Sequence, residues 1–517
     1  MYYDSFVLAG LARLAAFITK LWNYSTTHRM LQWLGRKVKL VFANSSIFSF
    51  LGAGRSSVTV LNESLIYRMF DRIFDLPYIL LGGIFYKKRV LFNESVAYVL
   101  FKTITDNMHI LISLFLFLVL VVPHELWKNV YSTAGVLIFL LLFLIKTITD
   151  SKVKLYIKAF DFFLFIFLVS VILAEVFSLY PGLSLRFLVF YLTCFFLLLL
   201  LASSINNKGQ LADTIEIILI GLTITGLYGI LQEIRGVPLN VAQVDLTLNE
   251  GMLGRIYSTY YNSNNYAEVL IMLLPFYAAV VFYSKGILKK LLFLALAAPS
   301  FTALLLTGSR SSWIGIAVAV LVFALIKNKA IVPMLIIAGI LAFPFLPQSI
   351  YRRALTLLKP TSDSSIMYRI DIYKTVWPLF KEYWITGLGL GNDVFKQLGQ
   401  DLFHYTKEAP IHSHNVFFQV WFETGVVGAL AYIGYVLGLI KKSVKSIKRI
   451  TDPIIINVLV AGAASISGIL AVSLFEYVWF YQRVMLIFWA VAGLVTAALK
   501  LAHADGAEQH TAASPKN

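Results

Sequence analysis

Apolar runs recur along this chain at lengths of about sixteen to twenty residues, each enough to cross roughly 30 Å of hydrocarbon as a tilted helix. They predict twelve membrane spans, near 108–123, 129–145, 161–179, 187–203, 213–231, 266–284, 291–307, 312–326, 330–346, 416–438, 455–474 and 484–500. A transmembrane β-barrel would show short alternating segments instead. The expected fold class is therefore an all-α polytopic membrane protein of about 12 transmembrane helices.

Two stretches break the rhythm. Residues 1–105 interleave basic residues such as Arg36, Lys37, Arg55, Lys87 and Arg89 with apolar ones and show no uninterrupted span. They read as a basic cytoplasmic or interfacial extension with amphipathic helices against anionic lipid; docking of a partner is the alternative. The connection 347–415 is far longer than ordinary loops, and Ile370, Tyr373, Trp377, Phe380 and Trp384 recur in it at helical spacing, with Pro378 as a kink point. It is expected to be a large helical extracytoplasmic loop. Gly387, Gly389 and Gly391 after it read as a turn, because the strand and third-glycine spacing of a dinucleotide fingerprint are missing. The expected organisation is the extension, then a membrane domain over 106–517 with a cytoplasmic tail at 501–517.

Composition agrees with lipid as the solvent. The 517 residues are 59% hydrophobic and 14% charged, with a mean hydropathy of +0.78. The net charge of +17 sits mainly between the apolar runs, where it sets orientation and does not argue for nucleic acid. Cys194 is the one cysteine, which excludes an internal disulfide and a cysteine metal cluster. No cleavable signal peptide is evident.

Sorting the connections by parity gives fifteen lysines and arginines in one set, from Lys146 to Arg449, and six in the other: Lys128, Arg186, Arg235, Arg255, Arg310 and Arg483. The positive-inside rule puts the first set and both termini in the cytoplasm, and the long loop outside.

Three arginines then stand on the outer side: Arg255 in GRIYSTYYNSNNYAE, Arg310 at the mouth of a hairpin in TGSRSSW, and Arg369 at the start of the loop helix. Singly each reads as an interfacial anchor. Together they suit phosphate, since a guanidinium makes bidentate charge-assisted bonds. In HSHNVFFQVWFETGVVG, His412 and His414 precede a helix starting near Asn415. No third ligand makes them a metal site, and an imidazole there can accept a proton from a hydroxyl. On a continuous helix Gly425 and Gly428 would lie beneath His414 and admit a neighbouring backbone. Asn415, Gln419 and Glu423 would form a polar stripe, with Glu423 either paired to an arginine or catalytic.

His414-Asn415 followed by Gly425 and Gly428 resembles the signature of the bacterial O-antigen ligase and O-antigen polymerase superfamily. YRIDIYKTVWPLFKEYWITGLGLGNDVF, TGSRSSW and, more weakly, GRIYSTYYNSNNYAE are similar to further family elements, so the resemblance covers about 250–440. It implies a GT-C-like membrane glycosyltransferase in the cytoplasmic (inner) membrane. The reaction implied moves a glycan from a polyprenyl-diphosphate-linked donor to a glycolipid, polysaccharide or other hydroxyl acceptor, with inversion and without metal or other cofactor. On that reading Arg310 and Arg369, with Arg255, bind the donor diphosphate and His414 is the catalytic base. His412, Asn415, Glu423, Gly425 and Gly428 support it.

A polymerase that extends a lipid-linked chain is the alternative within this chemistry. A flippase of lipid-linked oligosaccharide is the alternative from another class, and it calls for charge inside several spans.

Overall fold

In the computed structural model, residues 65–87, 89–237, 254–329, 331–342, 364–403 and 410–512 are described, with Lys20, Tyr24, Arg29 and Trp33 as isolated positions. Most of the 1–105 extension before Leu65, and residues 343–363 and 404–409 of the long loop, lie outside them. Every regular element among the described residues is helical. In order these are α1 (Leu65–Lys87), α2 (Arg89–Asn93), α3 (Val96–Asp106), α4 (Met108–Val121), α5 (Asn129–Thr149), α6 (Phe162–Val176), α7 (Pro181–Ser204), α8 (Lys208–Arg235) and α9 (Ser263–Tyr283). There follow α10 (Ile287–Leu306), α11 (Arg310–Lys327), α12 (Ile331–Ala342), α13 (Ser364–Glu382), α14 (Gly391–Phe403), α15 (Val416–Ile447), α16 (Pro453–Ser473) and α17 (Gln482–Ala512).

The protein is an all-α polytopic membrane protein. Nine described helices are long and apolar enough to cross a bilayer, and α3 with α4 makes a tenth if their 67° bend lies within one span. The expected span at 161–179 corresponds to α6, of 15 residues, and that at 330–346 lies partly outside the described residues, with α12 covering 331–342. At about 1.5 Å per residue α6 falls short of the hydrocarbon thickness.

Helices α9, α16 and α17 form the centre. Some 83%, 72% and 89% of their apolar windows are buried, against 22% for α5, α10 and α11, whose exposed leucines such as Leu141, Leu291 and Leu321 suit lipid. Since apolar surface gains little by leaving lipid, helices there associate through close packing. At the crossing of α11 and α16, a Cβ on Gly468 would come within 2.7 Å of the Gly315 carbonyl oxygen.

The two ends of the bundle differ in chemistry. At one end lysines meet acids and amides: Lys146 with Asp106 at 2.9 Å, Lys208 with Asp452 at 2.6 Å, Lys289 with Glu216 at 2.7 Å and Lys442 with Asp161 at 2.5 Å. At the other, arginines organise the connections. Arg483, fully buried, donates to the carbonyl oxygens of Val119, Leu120 and Val122 at the end of α4 and of Thr259 in the loop before α9. It also lies over the Tyr260 ring at 4.6 Å. Arg483 is thus an internal brace; it is not a loop charge exposed to solvent.

Candidate functional site

The site grows from the loop that enters α15. Asn415 is the N-cap: its side-chain oxygen accepts from the Phe418 N–H at 2.9 Å, satisfying one of the donors a helix start leaves open. Its Nδ2 donates to the Leu474 carbonyl at 3.1 Å, which ties the loop to the turn between α16 and α17. His414 sits one residue outside the helix with φ +53, a left-handed conformation that costs a non-glycine residue about 1 kcal/mol or more. The His414 N–H donates to Nδ1 of His412 at 3.2 Å, and the two rings lie 4.1 Å apart.

Opposite His414 is Glu476, a residue the sequence reading does not single out. His414 Nδ1 is 3.4 Å from Oε2 of Glu476, and Arg369 Nη2 donates to Oε1 at 3.1 Å. Asn264 Nδ2 donates to the same Oε1 at 3.4 Å, and Asn264 Oδ1 accepts from Arg255 Nη2 at 2.6 Å. Arg255 Nε donates to the Thr307 carbonyl at 2.7 Å, in the hairpin that carries Arg310. Arg310 opens α11 behind its N-cap Ser309. The contact of Gly315 with Val472 sets Arg310, five residues towards the helix start, at the end where Glu476 leaves α16. Arg255, Arg310, Arg369 and His414 therefore share one end of the bundle, and Glu476 links His414 and Arg369 directly and Arg255 through Asn264.

The electrostatics follow. Loss of water works to raise the Glu476 carboxyl; the hydrogen bond to His414 and the charges of Arg369, His414 and Arg255 overcome it and hold the group below its ordinary range, so it stays ionised. Desolvation, then His414 and Arg369, push the His412 imidazole well below its usual value. A neutral His412 whose Nδ1 accepts from the backbone is a spacer for His414. Glu268, 2% exposed on α9, lies close enough to sense Glu476.

Three expectations need correcting. The first is that Gly425 continues the helix beneath His414. Its φ of +71 and ψ of 179 break α15, and a Cβ there would stand 1.8 Å from the Ile385 carbonyl oxygen. Only glycine fits this backbone and this approach. The segment 384–389 passes through the break as a strap. Leu388 N–H donates to the Phe422 carbonyl at 2.9 Å, Gly389 N–H points at that of Glu423 at 3.4 Å, and Val426 N–H donates to Trp384 at 2.9 Å. The turn expected at Gly387, Gly389 and Gly391 is present: Gly387 and Gly389 lie in the buried part of the strap and Gly391 opens α14, each with positive φ. Gly428 does admit a neighbour, with Ser170 of α6 at 3.0 Å from a would-be Cβ.

The second correction concerns Glu423. Neutral donors hold it in place of an arginine: Tyr191 at 2.9 Å on Oε2, and Tyr477 at 3.0 Å and Gln419 at 3.1 Å on Oε1. The third concerns the loop helix. α13 forms as expected, with Pro378 inside it, but its buried face is Ile372, Val376 and Phe380, while Ile370, Trp377 and Trp384 are exposed. Phe380 stacks on Phe418 at 5.0 Å, so the face is set by α15.

Residues 291–433 match the protein family described as O-antigen ligase. An O-antigen ligase of Salmonella typhimurium is 26% identical over 201 residues, covering 36% of this chain and 48% of the relative. The chain thus spans about half the length of the curated relative it matches. The family match takes in Arg310, Arg369 and His414 and stops short of Arg255 and Glu476, which the fold brings to the same place. The segment of this chain that is similar to the O-antigen ligase family thus carries the histidine loop and two of the three arginines.

Proposed function

We propose that this chain transfers a glycan from a polyprenyl-diphosphate-linked donor to an acceptor hydroxyl at the outer face of a bacterial cytoplasmic membrane. The observation that carries the reading is the convergence of Arg255, Arg369 and His414 on Glu476, with Arg310 at the same end. Three guanidinium groups against one ionised carboxylate leave a net positive site, which suits a diphosphate. The same charges stabilise the diphosphate as it leaves, the task that metal ions perform elsewhere.

In this reading Glu476 holds the proton of His414 on Nδ1, so Nε2 carries the lone pair that takes the acceptor's proton. The acceptor oxygen then forms its bond to the anomeric carbon as the bond to the diphosphate oxygen breaks, with inversion. The proton ends on His414 and the negative charge on the lipid diphosphate beside the arginines. Orientation follows from the lysine-rich end facing the cytoplasm, and lipid fills the apolar flanks of α5 and α10.

The test is transfer by the purified protein from a diphosphate-linked glycan to a panel of hydroxyl acceptors, in chelator. Activity that is lost in His414→Ala while the protein remains folded supports the reading. Full activity of that variant would remove the proposed base.

A further inference from the structure

Glu423 is fully buried nine residues along α15 from the histidine loop, and its two carboxylate oxygens serve different parts of the fold. Oε2 accepts from Tyr191 at 2.9 Å on α7. Oε1 accepts from two groups that lead to the site. One is Gln419 Nε2 at 3.1 Å; the Gln419 Oε1 at the other side of that amide accepts the Ser413 N–H at 3.0 Å, immediately before His414. The other is Tyr477 OH at 3.0 Å, immediately after Glu476. The Tyr477 ring also lies 5.7 Å from that of His412.

We propose that Glu423 is a positioning residue that fixes the histidine loop and the Glu476 turn relative to each other, through Gln419 on one side and Tyr477 on the other. The inference rests on the proposed function, since it is His414 and Glu476 whose 3.4 Å approach the bracket sets. Fully buried, Glu423 acts on the reaction only through geometry. A buried, fully hydrogen-bonded network holds such geometry tightly, and a displacement of about 1 Å at a reacting group costs up to about 100-fold in rate.

The test compares Glu423→Ala, Glu423→Gln and Tyr477→Phe in the full-length protein, with His414→Ala alongside. Glutamine keeps a carbonyl oxygen for Gln419 and Tyr477 and turns its amide to the Tyr191 oxygen. It is expected to hold kcat within about threefold of wild type, whereas alanine and Tyr477→Phe lower kcat by about 10- to 100-fold at unchanged donor KM. A folded Glu423→Ala with wild-type kcat overturns the bracket. So does a Glu423→Gln as inactive as His414→Ala, which would make the charge itself the working property. If Glu423→Ala does not fold, Tyr477→Phe and Gln419→Leu decide, and wild-type kcat in both overturns the proposal. Full activity of His414→Ala is a different result, for it removes the base and leaves the hydrogen bonds of Glu423 where they are.

Discussion

His414 and Glu476 are 62 positions apart in the chain and meet with Nδ1 3.4 Å from Oε2. The carboxylate also receives Arg369 on its other oxygen, so one acid orients the proposed base and a proposed phosphate ligand together. Replacing Glu476 by glutamine keeps the shape and removes the charge. Transfer is expected to fall by about 100-fold, the lower range for loss of acid–base function, with the protein still folded. Single-turnover rates check this, and a wild-type rate would separate Glu476 from the reaction.

The charge of Glu476 also sets a pH dependence of stability. Its folded pKa lies below the ordinary 4.5 because His414, Arg369 and Arg255 outweigh the effect of desolvation. A depressed carboxyl contributes stability above its unfolded pKa and loses it as pH falls through the folded one. The Tm difference between wild type and Glu476→Gln in detergent should shrink as pH falls below about 4.5. A difference that keeps growing as pH falls below that value would contradict the assignment.

For the arginines the expected effect is on donor binding. Arg310→Lys and Arg369→Lys keep the charge and lose the planar fork. Each should raise the KM for the lipid-diphosphate donor by about tenfold, equivalent to about 1.4 kcal/mol, with a smaller change in acceptor KM. Unchanged donor KM in both would leave the diphosphate without its proposed ligands.

At Gly425 a side chain meets both a forbidden backbone region and the Ile385 carbonyl oxygen. Gly425→Ala should cost at least about 3 kcal/mol, above the usual range for backbone strain alone. Thermal unfolding in detergent measures it, and a Tm equal to that of wild type would mean that the strap is not packed as described.

Arg483→Met removes the donor to four backbone carbonyls at the end of α4 and before α9. The expected loss is about 3–5 kcal/mol, as for breaking other buried charged networks. Donor KM should stay the same in whatever fraction folds, because Arg483 is fully buried. A changed donor KM at unchanged Tm would contradict the bracing role.

Much of the fold is legible in the apolar runs, because length and hydropathy alone make a helix obligatory in lipid. The start of α15 is also legible: Asn415 before an apolar run is a helix cap by local chemistry, and the structure uses it so. Glu476 is harder to see, since an acid in SLFEYVWFYQR looks like any acid in a short connection. The available signal was parity, which sets that connection on the same side as His414. Gly425 is misread for the opposite reason. A glycine in an apolar run reads as a small residue on a smooth helix, whereas its conformation is dictated by Ile385, forty residues earlier. The phase of α13 fails likewise, since Phe418 and Phe422 on another helix decide which of its apolar residues are covered.

The interrupted helix ties two parts of the molecule to a common fate. In an apolar surrounding the carbonyls of Phe422 and Glu423 cannot stand without donors, and the donors at the break come from Leu388 and Gly389. The strap in turn satisfies its own Trp384 carbonyl with the Val426 N–H beyond the break. Neither the bend nor the docked strap is stable alone, so the strap and the helix it docks on fold as a single cooperative piece. A change that frees the loop would also straighten the helix and carry the histidine away from its acid.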